Sequence, residues 1–261
     1  MSARFAGRAA LVTGAASGIG AEIVRGLVAE GARVLALDVQ AAALDALARE
    51  SGCDMSRCDV TDETAVRGAI ACAERAFGRL DIVVNAAGIV RNDDVADIDD
   101  AVWSRLLDVN LSGAMRVCRA ALPGMRRRRA GAVVNIASVA AFNASPGMAS
   151  YAASKAGLVA LTRALAQRYG VDGIRANCLC PGWVRTPMSE QEMREAAQAR
   201  GTQLEAEFAQ LAARIALGRI ARPDEMARCA LFLASDDASF VTGAVLVADG
   251  GARTPASARA N

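Results

Sequence analysis

Six short apolar runs punctuate the chain: AALVTG (9–14), ARVLALD (32–38), LDIVVNAAG (80–88), GAVVNIAS (131–138), IRANCLCPG (174–182) and AVLVADG (244–250). A weaker run, DMSRCDV (54–60), keeps the same rhythm. Continuous apolar runs bounded by turn residues suit strands buried on both faces, as in a parallel sheet. The stretches between them carry helix signals. In 18–31 the apolar residues fall at 19, 23, 24, 27 and 28, and Gly31 closes the stretch. The stretch 61–78 opens with Thr61 as the expected cap, has Glu63 and Thr64 in its first turn, and stops at Gly78. Strand and helix in alternation imply right-handed crossovers and a Rossmann-like, doubly wound parallel sheet with helices on both faces. At 261 residues and 53% hydrophobic, the chain can build one sizeable core, so a single domain over 1–261 is expected.

Composition narrows the function classes. A net charge of +2 gives no argument for nucleic acid, a membrane surface or an acidic partner. No run approaches the ~18 apolar residues of a membrane span. The N-terminus reads as neither a secretory signal nor a transit peptide. The seven cysteines are odd in number and scattered, which suits reduced thiols in a cytoplasmic protein. Cys178 and Cys180 read as neighbours on one face of a strand, not as metal ligands, since histidine is absent and no second cysteine pair completes four ligands. The Arg126–Arg129 run reads as the end of a long helix, where cations suit the dipole. Residues 183–222 hold no strand and are helical by propensity. An insertion between a strand and the next helix is where substrate loops are found.

Between the first run and the first helix lies TGAASGIG, with Gly14, Ser17, Gly18, Ile19 and Gly20. Glycines let the backbone turn tightly and approach a pyrophosphate, and a helix N-terminus adds free N–H groups and positive dipole. The pattern follows a strand and opens a helix, which is the context a dinucleotide turn requires. Asp38 ends the second run, where a carboxylate accepts from the ribose hydroxyls of a dinucleotide and repels a 2′-phosphate. No lysine or arginine stands at 15–17 or 39–40 to hold that phosphate. The expected cofactor is therefore NAD. Asp59 and Val60 end the third run, with Asp59 set to meet the adenine edge. Asn85, Ala86 and Gly88 end the fourth, small enough for close backbone approach, with the Asn85 amide free to tie strand ends.

Hydride transfer between an alcohol and nicotinamide needs a proton moved at the substrate oxygen. Without histidine, the candidate is Tyr151. Lys155 lies one helical turn further on the same face, where its ammonium can lower the phenol's pKa from ~10. Ser138 ends a strand and Tyr151 starts the next helix, so both belong to the carboxyl edge of the sheet. Asn110 is a polar residue in an apolar helical stretch, able to hold water behind Lys155.

Together TGAASGIG, NAAG, Asn110, Ser138, YAASK (151–155) and PGWVRT (181–186) resemble the short-chain dehydrogenase/reductase family, in that family's order and from about residue 5 to 251. The resemblance implies a catalytic tetrad of Asn110, Ser138, Tyr151 and Lys155, with Tyr151 as acid/base and Lys155 also on the nicotinamide ribose. It implies that Pro181 and Gly182 open the segment covering the nicotinamide, that Val184 and Thr186 contact its carboxamide, and that VADGG (247–251) contributes the last strand. It implies a homotetramer formed through the long helices and the C-terminal strand and helix. The tail 252–261 is expected to be flexible.

The substrate pocket is expected from 88–95, 139–148 and 183–222. Val139, Phe142, Asn143, Met148 and Trp183 suggest a small-to-medium, partly apolar chamber with no demand for a charged substrate. The expected activity is NAD-dependent interconversion of a secondary alcohol, diol, polyol or sugar with its ketone. Reduction of 3-oxoacyl thioesters, with the Arg126–Arg129 run meeting an acidic carrier, is the alternative. A non-catalytic NAD-sensing protein of the same fold is a third reading, one that tends to lose the tyrosine or lysine present here.

Overall fold

The computed structural model describes residues 3–252. Seven strands form one parallel sheet in the order β3-β2-β1-β4-β5-β6-β7. They are β1 (Ala9–Thr13), β2 (Arg33–Asp38), β3 (Asp54–Arg57), β4 (Ile82–Asn85), β5 (Gly131–Ile136), β6 (Ile174–Pro181) and β7 (Val245–Ala248). Nine α-helices accompany them among the described residues: α1 (Gly18–Ala29), α2 (Ala41–Ser51), α3 (Glu63–Phe77), α4 (Asp100–Leu107), α5 (Ala114–Arg128), α6 (Ala149–Tyr169), α7 (Pro187–Arg200), α8 (Leu204–Ala212) and α9 (Pro223–Ala234). Every expected strand is present, and no helix among the described residues is long and apolar enough to cross a membrane. Beyond Ala252, the expected flexible tail lies outside the described residues.

Alternate residues of each strand enter opposite cores, as the two-residue period of a strand dictates. Ala10, Val12, Val34, Ala36, Ile82, Val84, Val134 and Ile136 pack under α1, α2 and α9. Leu11, Leu35, Leu37, Val83, Val133 and Ala176 pack under α3, α5 and α6. The apolar spacing of 18–31 does what it predicts: Ile23, Val24 and Leu27 are fully buried. The cap of α3 differs from expectation. Asp62, not Thr61, accepts from the N–H groups of Thr64 and Ala65, at 2.8 and 3.1 Å. A carboxylate suits the positive helix end better than a hydroxyl. Thr61 is engaged by Asp59 instead.

Three local features position the carboxyl edge of the sheet. Strand order reverses at β1, which lies between β2 and β4, and a crevice opens at such a switch point. The turn after β1 is wound too tightly for side chains. A Cβ on Gly20 would lie 2.1 Å from the Gly14 carbonyl oxygen, and one on Gly14 would lie 2.6 Å from Ala87. Between α4 and α5 the helix widens into a π-helical turn, Asp108–Gly113, which turns Asn110 into the interior. Such bulges favour functional positions because they aim a side chain out of helical register.

The N-terminus of α6 has no cap of its own; Met148 supplies none. Asp93, from the loop after β4, does the work. Its carboxylate accepts from Ala149 N–H at 2.6 Å, from Ser150 N–H at 3.1 Å, and from the Ser150 hydroxyl. The Asp93 N–H also donates to the Gly147 carbonyl at 2.8 Å. A negative charge at the N-terminus answers the helix dipole, and here it sets where α6 begins. Asp93→Ala leaves those donors unpaired. It is expected to cost about 1 kcal/mol of stability, the usual worth of a cap, measured by urea denaturation. An unchanged midpoint would show that the helix start is held by other contacts.

Candidate active site

The carboxyl edge carries a cleft of 390 Å³. One end is the glycine turn. Ser17 starts α1 without a side-chain cap bond, so the first-turn N–H groups of Gly18, Ile19 and Gly20, which line the cleft, have no intrahelical partner. The Asp38 carboxylate accepts from Ala16 N–H at 3.0 Å and from Gln40 N–H at 2.9 Å. Those bonds fix it beside the turn at the cleft wall. The donor-rich helix end and the carboxylate fit the two ends of an adenosine diphosphate half of a dinucleotide. Asp59 and Val60 continue the wall. Burial works against the Asp59 carboxylate, but the N–H and hydroxyl of Thr61 and the Arg105 guanidinium outweigh it and hold the carboxyl below its usual range.

Ala86 and Gly88 line the cleft, whereas Asn85 does not. Asn85 is buried behind the wall, donating to Asn135 Oδ1 at 2.7 Å. That is the strand-end tie its amide suggested, and its place among cofactor contacts is corrected accordingly. Pro181, Gly182, Val184 and Thr186 line the far side. Thr186 caps α7 in a reciprocal bond with Ser189, and its methyl would meet a Cβ on Gly18 at 3.2 Å. It therefore closes against the glycine turn. Val139, Asn143, Met148 and Trp183 line the chamber beyond. Phe142 does not: it is exposed at the surface, because the one-turn 3-10 helix Val139–Ala141 turns it away.

At the centre, the Ser138 hydroxyl neighbours the Tyr151 phenol and eases its ionisation. Ser138 Oγ accepts from Ala140 N–H at 3.1 Å, so its own proton is free to point at the phenol or at a bound oxygen. Lys155 is buried, and its Nζ donates to the Ile136 carbonyl at 3.0 Å. It lies 5.5 Å from the Tyr151 ring centre. The expectation that this ammonium draws the phenol down is not met in the free protein. Burial pushes Tyr151 up to about 12, against the influence of the Ser138 hydroxyl and with a further push from Glu192. Burial also lowers Lys155 to about 8. Desolvation disfavours either charge, and the lysine is held on a carbonyl rather than on the phenol.

Asn110 does not line the cleft. It donates to the Ile89 carbonyl at 2.9 Å and to Ser154 Oγ at 3.1 Å, and accepts from Ile89 N–H at 2.8 Å. Its amide thus pins the loop after β4 to α6. A Cβ on Gly88 would meet Lys155 Nζ at 3.3 Å and Asn110 Oδ1 at 3.5 Å, so these groups share one small space.

Three residues of this site carry little sequence signal. Thr13 Oγ1 accepts from Ala86 and Ala87 N–H, both at 3.2 Å, and anchors the loop under the glycine turn; its place directly before Gly14 is its one signal. Asp93 is one of several acids in a polar loop. Glu192 lines the cleft from α7, in a helix whose other acids serve the surface. Cys178 and Cys180 are both buried in one apolar cluster with Leu158 and Val159, the strand-face arrangement expected of them. Their mutual hydrogen bond and burial raise the Cys178 thiol.

The family model described as enoyl-(acyl carrier protein) reductase matches residues 14–253. A galactitol 2-dehydrogenase (L-tagatose-forming) from Cereibacter sphaeroides is 43% identical over 253 residues, covering 95% of this chain and 96% of the relative. A 3-oxoacyl-[acyl-carrier-protein] reductase from Thermotoga maritima is 37% identical over 253 residues, covering 95% and 98%. The ligand-free aldohexose dehydrogenase of Thermoplasma acidophilum superposes with a TM-score of 0.90 at 31% identity, covering 98% of both chains. The chain belongs to the short-chain dehydrogenase/reductase family.

Proposed function

We propose that this protein is an NAD-dependent dehydrogenase that interconverts a polyol or sugar-like secondary alcohol and its ketone. The observation that carries the reading is the Ser138–Tyr151 hydroxyl pair beside buried Lys155, in a cleft whose other end bears Asp38. When bound, the nicotinamide supplies the hydride acceptor. Ser138 donates to the substrate oxygen and orients it. Tyr151 Oη takes the alcohol proton as hydride leaves, and returns it in the reverse direction. Lys155 stabilises the phenolate and holds the nicotinamide ribose. Asn110 keeps the lysine and the loop after β4 in register. Val184 and Thr186 meet the carboxamide, and Gly14, Ser17, Gly18, Ile19 and Gly20 hold the pyrophosphate. A homotetramer in the cytoplasm completes the reading.

The galactitol and aldohexose dehydrogenases named above support a polyol or sugar substrate. The 3-oxoacyl reductase relative favours thioester reduction as a second reading, but the arginine run does not support it. Arg126 pairs with Asp172, Arg128 donates to the Leu80 carbonyl and Arg129 to that of Val171. The run also precedes β5, at the opposite edge of the sheet from Ser138. At ~3.3 Å per strand residue, that separates it from the cleft by roughly 20 Å.

Three outcomes follow. NAD is expected to bind much more tightly than NADP in calorimetric titrations, because Asp38 repels a 2′-phosphate. Asp38→Ala combined with Val39→Arg should narrow the gap; equal affinity in the unmodified protein would refute the cofactor assignment.

Tyr151→Phe is expected to keep NAD binding and lose roughly 10²–10⁴-fold in turnover, the worth of one acid/base group. A raised phenol pKa means that phenolate accumulates only as pH rises. Alcohol oxidation should therefore accelerate on the alkaline side and ketone reduction should not. Difference titration of the free protein against Tyr151→Phe should show a phenol ionising above ~10, the free value. Near-native turnover in the variant would assign the proton to another group.

The α7–α8 segment is expected to move. Its main packing is of α7 on α8, joined by the exposed pair of Arg185 with Glu205 and by Arg200 with the buried Glu207. Sparse packing on the sheet favours local opening. Hydrogen exchange across 187–212 should slow when NAD and a polyol bind; identical exchange would make the segment a fixed wall.

A further inference from the structure

Residues 183–212 carry five acids, and four of them have partners. Glu190 pairs with Arg185 and Arg194. Glu195 accepts from Gln191. Glu205 pairs with Arg185, and Glu207 with Arg200 and Thr202. Glu192 is the exception: half-buried in the cleft wall, it takes part in none of the hydrogen bonds or ion pairs described for the other four. The cations lining the same cleft are committed elsewhere. Lys155 is on the Ile136 carbonyl, and Arg105 is on Asp59 and Thr61.

The surroundings make this carboxyl costly. Burial and Glu195 push it up to about 7, and its charge works against a phenolate at Tyr151. A half-buried carboxyl without a donor is retained at a functional position when a ligand brings the donor. The same cleft is lined by Val139, Met148, Trp183 and Met188, and by the polar Asn143 and Ser145.

We propose that Glu192 is the specificity residue of the chamber, accepting hydrogen bonds from a substrate hydroxyl neighbouring the carbinol that reacts at Tyr151. This deepens the polyol reading and rests on it. The proposal separates substrates by chemistry. A polyol brings hydroxyl donors on the carbons next to the reacting one. A 3-oxoacyl thioester brings none there and leaves the carboxyl unpaired. An anionic substrate meets like charge.

The test compares a four-carbon tetritol with butan-2-ol. Glu192→Leu removes the acceptor, and Glu192→Gln keeps one carbonyl acceptor at similar shape. In Glu192→Leu the tetritol-to-butan-2-ol ratio of kcat/KM is expected to fall on the order of 10- to 100-fold, the worth of a hydrogen bond to a charged group. The loss should fall mainly in KM, with Glu192→Gln between the two. NAD affinity, measured by calorimetry, should hold in both variants and reports that the fold is intact. A second readout needs no turnover. Tetritol is titrated calorimetrically into NAD-loaded Tyr151→Phe, with and without Glu192→Leu, and should bind more weakly in the double variant. If no alcohol is oxidised by the unmodified protein, the dehydrogenase reading fails, while this titration still decides whether Glu192 contacts a polyol. A ratio that moves by less than about two-fold, with tetritol binding unchanged, overturns the proposal. So does 3-aminobutan-2-ol gaining over tetritol through Glu192, which would make the residue a cation site.

Discussion

The bond from Lys155 Nζ to the Ile136 carbonyl organises this molecule. An ammonium taken out of water is expensive unless every direction around it is answered. Here one carbonyl accepts from it, and two other parts of the chain pack around it. The last residue of β5 offers the carbonyl. The π-helical turn before α5 brings Asn110 alongside, and Gly88 leaves the room that both groups need. Asn110 then ties the loop after β4 to Ser154 on α6. Loosening any one of these would let water reach the lysine or move Tyr151 off its partner Ser138. The site is therefore a property of the joints between β4, β5 and α6 more than of any single element.

The same dryness explains why Tyr151 and Lys155 shift in opposite directions. Desolvation disfavours phenolate and ammonium alike, so the phenol goes up and the amine comes down. A phenolate formed beside an ammonium is net neutral, and the cost of desolvating it is then shared by their attraction. Reading Lys155 as a simple electrostatic lever on its helical neighbour misses this. The i, i+4 spacing puts the two on one face, but not in contact: Nζ reaches past the ring to the strand.

Much of the architecture was legible because the signals were local. Apolar runs marked all seven strands, including the weak third one, and glycine spacing marked the turn at the switch point. Ser138, Tyr151, Lys155 and Asp38 fall where strand ends and helix starts meet, so their convergence followed from topology. What stayed hidden depends on pairing between distant segments. Asp93 caps a helix more than fifty residues away in the chain, and nothing near it marks that role. Thr61 was read as a cap because hydroxyls cap helices, but the adjacent Asp62 is the stronger acceptor. Phe142 was read as pocket lining because it follows Ser138, and a single 3-10 turn rotates it to the surface. Asn85 was read as a cofactor contact because it neighbours small residues that line the cleft.

Glu192 shows where local reading ends for a different reason. In sequence it is one acid among five in a polar, helical stretch, and the bland expectation for each is a solvated surface. Four of the five have arginine, glutamine or threonine partners, and of these Glu207 is buried. Of those pairs, Arg200 with Glu207 joins α7 to α8 and Arg185 with Glu205 joins the preceding loop to α8, while Glu192 lies in the cleft wall. At exposed positions such pairs gain little energy individually, while the pair of Arg200 with Glu207 has one buried partner. A segment with few contacts to the sheet can change its chamber-facing residues without disturbing the lysine and its supports. On the function proposed for this chain, the group that moves the proton and the groups that choose the substrate are therefore held by separate sets of interactions.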